Sequence, residues 1–192
     1  MKEPSNLYFI AIMLPESVDQ EIIAFKNDMA QCFHSKKALR TASHITLKAP
    51  FKTLVAVHEN VLQWFKEMNI TVAPFMQEIK DFGAFNNKRN PVIYVHPIMN
   101  ESLQQLQKEV VQAFSSAFPN EVISKNEYTF SPHITIGHRD LQPQQFKEAW
   151  QEYKTKTYTA LFEVNAFQLL QHINGGWNVV CSLLLNHRDT ET

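Results

Sequence analysis

The sequence has few of the residues that cross-linked, metal-bound or membrane-spanning proteins use. Its 192 residues include two cysteines. Cys32 and Cys181 stand in no CxxC or zinc-like spacing, so neither a disulfide framework nor a zinc site is indicated. No apolar run approaches the roughly 18 residues that span a bilayer, and the run at residues 7–14 meets Pro15 without a signal-peptide cleavage site. We therefore expect a cytoplasmic protein that binds no metal, no other cofactor and no membrane.

Other absences narrow the class of function. Lys and Arg number 18 against 19 Asp and Glu, for a net charge of −1, so the overall charge does not attract a long nucleic acid. A Gly-rich phosphate loop and an HExxH metal motif are both missing. With 44% apolar residues the chain can still fill a substantial core. We expect a globular domain whose partners are small or short.

One order of elements occurs twice along the chain. Residues 7–14 are rich in β-branched and aromatic residues and predict a strand. The apolar residues that follow it are at near-helical spacing and predict a helix. Residues 91–98 and 101–118 repeat this strand and helix. Each pair precedes a His-x-Thr segment, His-Ile-Thr-Leu at residues 44–47 and His-Ile-Thr-Ile at residues 133–136, an offset of 89 residues. The pattern predicts an internal duplication.

We interpret the duplication as one two-lobed domain that covers residues 1–192. The predicted fold class is α+β, with two lobes related by a pseudo-twofold axis and each lobe built from an antiparallel sheet with helices on its outer face. No Gly/Ser-rich linker or low-complexity tract separates the lobes. The groove between the lobes is then the expected active site.

The two His-x-Thr segments are suited to chemistry on a phosphate. Residues i and i+2 of a strand share a face, so His44 lies beside Thr46, and His133 beside Thr135. Two imidazoles on opposite sides of one phosphate can take a proton from the entering oxygen and give one to the leaving oxygen. The hydroxyls can donate to the non-bridging oxygens. Because an unperturbed imidazole has a pKa of about 6.5, we expect a bell-shaped rate profile near neutral pH.

These motifs resemble those of the two-histidine (2H) phosphoesterase superfamily, especially its 2′-5′ RNA ligase-like and cyclic phosphodiesterase branch. The resemblance covers nearly the whole chain. It implies a metal-independent phosphoesterase that acts on 2′,3′-cyclic phosphate or 2′-5′ phosphodiester bonds of nucleotides or short RNA ends. It also implies that Thr46 and Thr135 bind the substrate phosphate. Of the two catalytic histidines, it suggests His133 as the base toward water and His44 as the acid toward the leaving oxygen.

Residues next to the motifs fit this family in part. Lys48 follows the first motif and Arg139 the second, and both are in phase with the motif histidines, so we expect them to bind the substrate phosphate. The alternative for each is a solvated strand end. Ala49-Pro50 departs from the aromatic residue and glycine that ligase-type members more often have there. That departure leaves the RNA-ligase substrate itself open.

Three aromatic residues flank the motifs, and aromatic rings can stack on a nucleotide base. They are Phe51, Tyr128 and Phe130. Packing in the core is the alternative interpretation, and the one that this Phe-rich sequence favours. His138 is out of phase with His133 and is expected at the surface. The remaining histidines lie on no shared motif and receive no role: His34, His58, His96, His172 and His187.

Two other kinds of function remain open on the same fold. One is a domain that binds a nucleotide or RNA end without turnover, against which the intact pair His44 and His133 argues. The other is a protein-interaction domain, since a fold alone does not fix a function. An exposed apolar patch outside the groove would favour the interaction domain.

Overall fold

The computed structural model of the protein describes residues 3–121 and 123–186, so His187 lies outside the described residues. Eight strands and five α-helices are present in these two ranges. In chain order they are β1 (Ser5–Met13), α1 (Glu16–Cys32), β2 (His44–Leu54), α2 (His58–Lys66), β3 (Phe75–Phe85), β4 (Val92–Pro97), α3 (Glu101–Ala117), α4 (Lys125–Tyr128), β5 (Ile134–Gly137), α5 (Pro143–Tyr153), β6 (Thr159–Val164), β7 (Ala166–Ile173) and β8 (Gly176–Leu184).

The strands form two four-stranded antiparallel sheets. The first sheet has the order β2-β1-β7-β8, and the second has the order β5-β4-β3-β6. The two orders correspond, because each sheet carries a motif strand at one edge and the strand that precedes it in the chain next to that edge. The predicted α+β fold with two antiparallel sheets is confirmed.

The chain does not complete one sheet before it starts the other. The first sheet takes β1 and β2 from the beginning of the chain and β7 and β8 from its end, whereas the second sheet takes the strands between them. Two helices also cross between the sheets. Helix α1 follows β1 but contacts β5, and α3 follows β4 but contacts β2. Each motif strand is therefore supported by a helix that follows a strand of the other sheet.

Strand β1 is apolar throughout because both of its faces are covered. Tyr8, Ile10 and Ile12 belong to the main core, while Phe9 and Ala11 pack on the opposite face, with Leu170 of β7. A strand buried on both faces loses the alternation of a half-buried strand. The continuous run in the sequence follows from this position inside the first sheet.

Helix α3 buries the apolar stripe that the sequence predicts. Its N-terminus is capped by Asn100, whose side-chain oxygen accepts a hydrogen bond from the backbone N–H of Leu103. Leu106, Val110 and Phe114 are fully buried. Each such side chain contributes about 1.5–3 kcal/mol when it leaves water, and together they hold α3 against the rest of the core. Within the described residues, no helix is long and apolar enough to cross a bilayer.

Candidate active site

The two motif strands present their polar residues as the sequence predicts. Strand β2 begins at His44, and Ile45 and Leu47 are 0% and 1% exposed. His133 directly precedes β5, in which Ile134 and Ile136 are both 0% exposed. The buried side chains anchor each strand in the core. The histidines and threonines between them are only half-buried and face the groove between the sheets.

Both imidazoles are oriented by the same local contact. His44 Nδ1 lies 2.8 Å from the carbonyl oxygen of Ala42, and His133 Nδ1 lies 2.9 Å from that of Ser131. A carbonyl oxygen can only accept, so Nδ1 must carry the hydrogen in each ring. Nε2 is then the nitrogen that is free to exchange a proton with a bound substrate.

Aromatic rings pack against both imidazoles and restrict their orientation. The Phe9 ring of β1 lies 5.0 Å from the His44 ring, and the Tyr94 ring of β4 lies 5.7 Å from the His133 ring, measured between centroids. Phe85 contacts His133 edge-on at 5.1 Å. Gly83 leaves the space that the Tyr94 ring occupies, since a Cβ there would be 2.4 Å from this ring. Any larger residue at position 83 would displace the ring that supports His133.

Burial favours the neutral form of both imidazoles near neutral pH. Desolvation is the largest cause and lowers the pKa of His44 to about 4, although the Ala42 carbonyl opposes it, while the nearby charges of Lys26, His133 and His138 lower it further. Desolvation also lowers the pKa of His133, against the Ser131 carbonyl. A proton on one histidine thus disfavours a proton on the other. A bound phosphate would reverse this effect, since its negative charge favours the imidazolium form.

Two cavities meet at the motifs. The first, which we name the His44 cavity, encloses about 440 Å³ and is lined by His44 and Thr46 of the first sheet and by Thr135 of the second. The second, the His133 cavity, encloses about 690 Å³ and is lined by His133 and again by Thr46. Because Thr46 borders both cavities, a ligand centred on the motifs can extend into either one. This arrangement brings four predicted site residues together: His44, Thr46, His133 and Thr135.

The predicted face for Lys48 is wrong. Lys48 pairs with Ile10 of β1, one residue out of the register that Thr46 sets. Strand β2 therefore contains a bulge after Thr46, which turns the Lys48 side chain into the core. Lys48 is 2% exposed, and its ammonium lies 2.8 Å from the Glu127 carboxylate and 4.3 Å from the centre of the Phe114 ring. Lys48 lines neither cavity.

The second motif ends in a tight turn that brings both of its flanking residues to the site. Arg139 has a positive φ of 54°, and Asp140 N–H donates to the His138 carbonyl. Arg139 lines the His44 cavity, as expected of a phosphate ligand, and so does His138. The predicted surface position of His138 is wrong. Burial and then the charge of Arg139 lower the pKa of His138.

The three aromatic candidates have different surroundings. Phe51 is 4% exposed and packs against Tyr8 and Phe114, so core packing is correct for it and base stacking is not. Tyr128 is 73% exposed and lines neither cavity. Phe130 lines the His133 cavity and remains a candidate for stacking on a base.

Several cavity residues were not predicted from the sequence. The His44 cavity is lined by cations and aromatic residues that lie on no motif: Lys26, Lys37, Arg40, His172 and Trp177. The available signal was the polar connector between α1 and β2, which carries three cations within residues 36–40. Among the described residues, no group of three His, Cys, Asp or Glu side chains is arranged to hold a metal ion.

Comparison with known proteins identifies the family. The sequence model of the 2′-5′ RNA ligase superfamily matches residues 14–176. The chain belongs to this superfamily, and the resemblance to the 2H phosphoesterases is confirmed. A "Putative phosphoesterase" of Geobacillus kaustophilus is 28% identical over 95% of this chain and 98% of its own length. A similarly named protein of Geobacillus sp. strain WCH70 is 26% identical over 87% and 91%.

Solved structures share the fold at low sequence identity. TT0787 of Thermus thermophilus superposes with a TM-score of 0.67 at 18% identity, covering 95% of this chain and 99% of that one. LigT of E. coli in complex with 3′-AMP has the same TM-score and identity, covering 96% and 100%. Together with the superfamily match, the relatives' names support an activity of the phosphoesterase type.

Proposed function

We propose that this protein is a phosphoesterase that cleaves 2′,3′-cyclic phosphate or 2′-5′ phosphodiester bonds of nucleotides or RNA ends, with His44 and His133 as its acid and base. The observation that carries the proposal is the matched pair of imidazoles, each with Nδ1 held by the carbonyl two residues before it. Thr46 and Thr135, beside them, would donate hydrogen bonds to the non-bridging oxygens as negative charge builds there.

The substrate class rests on the site and on what the neighbours bind. LigT has been crystallised with 3′-AMP, phosphate, NADP⁺ and ATP, which are nucleotides or a nucleotide fragment. In this chain the His133 cavity combines two aromatic rings, Phe85 and Phe130, with the side-chain amides of Asn86 and Gln107. Rings can stack on a base, and amides can hydrogen-bond to its edge. We place the nucleoside of the substrate in this cavity.

The pKa values favour His44 as the base, the reverse of the assignment that the family resemblance suggests. The base must start neutral, and the pKa of about 4 keeps His44 neutral when the pair holds a single proton. His133 is then the residue that carries the proton to the leaving oxygen. Desolvation is the largest cause of the low pKa of His44, and the charge of Lys26, which lines the same cavity, further opposes a proton there.

We expect the pH profile of kcat/KM to be bell-shaped with its maximum on the acid side of pH 6.5, lower than the sequence alone suggested. One histidine must be protonated and the other neutral, and both have lowered pKa values in the free protein. As the pH falls from 7, the singly protonated pair therefore increases, until His44 is also protonated near pH 4. The kcat profile should peak at higher pH, because bound phosphate raises both pKa values. A kcat/KM that rises steadily from pH 5 to pH 9 would contradict this protonation scheme.

Activity is expected to survive exhaustive chelation. The proposed mechanism uses imidazoles, hydroxyls and fixed cations, and it does not call for a divalent ion to stabilise the transition state. The measurement is kcat/KM on a 2′,3′-cyclic nucleotide before and after chelation, with Mg²⁺ or Mn²⁺ added back. Loss of activity on chelation and its return with either ion would overturn the mechanism.

The direct test of the proposal is a substrate panel. The chelated protein is incubated with the four 2′,3′-cyclic nucleotides and with 2′-5′ dinucleotides, and phosphorus NMR assigns the position of the phosphate in each product. Turnover that is lost in His44→Ala and in His133→Ala supports the proposal. If every nucleotide binds and none is cleaved, the protein is instead a nucleotide-binding member of the fold.

A further inference from the structure

We propose that the His44 cavity binds a second phosphate group of the substrate through Lys37, Arg40 and Arg139, so that the preferred substrate carries another phosphate besides the one that reacts. This inference rests on the proposed function for the reacting phosphate. It adds a recognition site that the four motif residues do not form. The three cations lie at the rim of the cavity, with exposed side chains.

The cavity is larger and more basic than one reacting phosphate requires. Its volume of about 440 Å³ falls within the range of about 300–1,000 Å³ that is common for small-molecule sites. The reacting phosphate would lie where Thr46 and Thr135 face the two imidazoles. Lys37, Arg40 and Arg139 line the His44 cavity but not the His133 cavity. The positive charge is therefore concentrated on one side of the reacting phosphate.

None of these cations is neutralised by an ion pair in the part of the chain that the structure describes. Among residues 3–121 and 123–186, the ion pairs involve Lys48 and Lys156, and none involves Lys37, Arg40 or Arg139. The nearby carboxylate of Asp140 is engaged elsewhere, because it accepts hydrogen bonds from Ser35 Oγ and from backbone N–H groups of the connector. The single negative charge of Asp140 does not balance three cations. The remaining like charges repel one another, and an anionic ligand would reduce that repulsion.

The segment that presents Lys37 and Arg40 is held in place at both ends. Asp140 accepts from the backbone N–H of Lys36 at 2.8 Å and of Lys37 at 3.0 Å, which ties the connector to the turn after β5. At the other end, the buried ammonium of Lys26 donates to the Thr41 carbonyl at 2.9 Å. Between these contacts, Lys37–Arg40 forms a 3-10 turn. Two cations on a fixed turn and a third on the adjoining one form a preorganised anion site, which needs little ordering when the ligand binds.

The test compares three substrates that differ at the 5′ position. They are adenosine 2′,3′-cyclic phosphate, the same compound with a 5′-phosphate, and an adenosine dinucleotide that ends in the cyclic phosphate. We expect wild-type kcat/KM to be at least about tenfold higher for the 5′-phosphate compound than for the unmodified one, because charge-assisted contacts to phosphate are strong. A gain with the dinucleotide as well would identify an internucleotide phosphate as a further source of the anion, and a gain with the 5′-phosphate alone would identify a terminal phosphate.

Variants separate this site from general effects. In the double variant Lys37→Ala/Arg40→Ala we expect the preference ratio to fall toward one, and in Lys37→Glu/Arg40→Glu to fall below one. Lys36→Ala is the control, because it removes one positive charge from the same connector outside the cavity and retains the backbone contact with Asp140. An equal loss on all three substrates, with the ratio unchanged, would mean that the cations serve only the reacting phosphate and would overturn the inference.

A binding measurement distinguishes failure of this inference from failure of the proposed function. Adenosine 3′-phosphate and adenosine 3′,5′-bisphosphate are titrated calorimetrically into the wild type and the double alanine variant. Tighter binding of the bisphosphate that the variant loses supports the second site even if no substrate is cleaved. Cleavage of cyclic phosphates without any preference for a second phosphate would leave the phosphoesterase proposal standing and refute the second site.

Discussion

Replacing either His44 or His133 with Ala is expected to lower kcat/KM on 2′,3′-cyclic nucleotides by about 10²–10⁴-fold, the range for a positioned acid or base. Each ring has Nε2 available and Nδ1 committed to a carbonyl, so each is positioned to transfer one proton. The double variant should be little worse than either single variant, because the two histidines act as a unit. Steady-state kinetics under substrate-limiting conditions measure all three.

Controls decide whether such losses reflect chemistry. Thr46→Val and Thr135→Val should cost less than the histidine changes, since each removes one hydrogen-bond donor and leaves both proton transfers possible. His96→Ala replaces an exposed histidine of β4 that lines neither cavity and should retain full activity. Full turnover by both His44→Ala and His133→Ala on every active substrate would show that the catalytic assignment is wrong.

A leaving group of different quality can assign the two roles. A nitrophenyl phosphodiester has a leaving group that departs without a proton, so the residue that acts as acid becomes dispensable. If His44 is the base, His44→Ala should be equally impaired on this compound and on a cyclic nucleotide. His133→Ala should lose much less activity on the nitrophenyl compound than on the cyclic nucleotide. The opposite pattern would restore the order that the family resemblance suggests.

The motif geometry was predictable because it depends on local rules. Alternation along a strand decides that His44 and Thr46 share one face while Ile45 takes the other, and the pairing with β1 is regular over residues 44–46. The helical stripe of α3 is equally local. The fold class followed from these elements, because two amphipathic strand and helix sets must bury their apolar faces together.

The features that sequence reasoning missed depend on distant contacts. Counting residues along β2 places Lys48 with His44, but the bulge against β1 reverses its side. Strand alternation also gives the wrong side for His138, because β5 ends at Gly137 and the turn at Arg139 brings His138 back to the groove. The cations of the connector reach the site through contacts with Asp140, about a hundred residues away in the chain. None of these contacts has a signature in the local sequence.

The second large effect is expected on stability, at the buried ion pair between Lys48 and Glu127. Their side chains are 3% and 7% exposed. Glu127 also accepts hydrogen bonds from the backbone N–H groups of Ala49 and Ser124. Glu127→Gln should lower the free energy of unfolding by about 3–5 kcal/mol, because it leaves the Lys48 ammonium buried beside the Phe114 ring without its counter-charge. Urea-induced unfolding, followed by circular dichroism, measures the change.

The comparison that isolates the pair uses a double variant and a partly exposed pair. Lys48→Met/Glu127→Gln should be more stable than Glu127→Gln alone, because a neutral side chain then replaces the uncompensated ammonium. Lys156→Met breaks the contacts of Lys156 with Asp28 and with Glu152, all three of whose side chains are at least 34% exposed. It should cost no more than about 1 kcal/mol. If Glu127→Gln were no more destabilising than Lys156→Met, the buried pair would contribute nothing beyond a surface contact.

The pH dependence of stability gives an independent check on the same pair. Burial alone would raise the pKa of Glu127, but the hydrogen bond and charge of Lys48 and the Ser124 N–H outweigh it and lower the pKa below its ordinary value. A carboxyl with a lowered pKa in the folded state contributes stability above its ordinary pKa and loses it as the pH falls through the lowered value. Acidification below about pH 4.5 should therefore destabilise the wild type more steeply than Lys48→Met/Glu127→Gln. Because Glu127 connects α4 to β2 between the His133 cavity and the core, loss of the pair should also weaken nucleotide binding in that cavity before the protein unfolds.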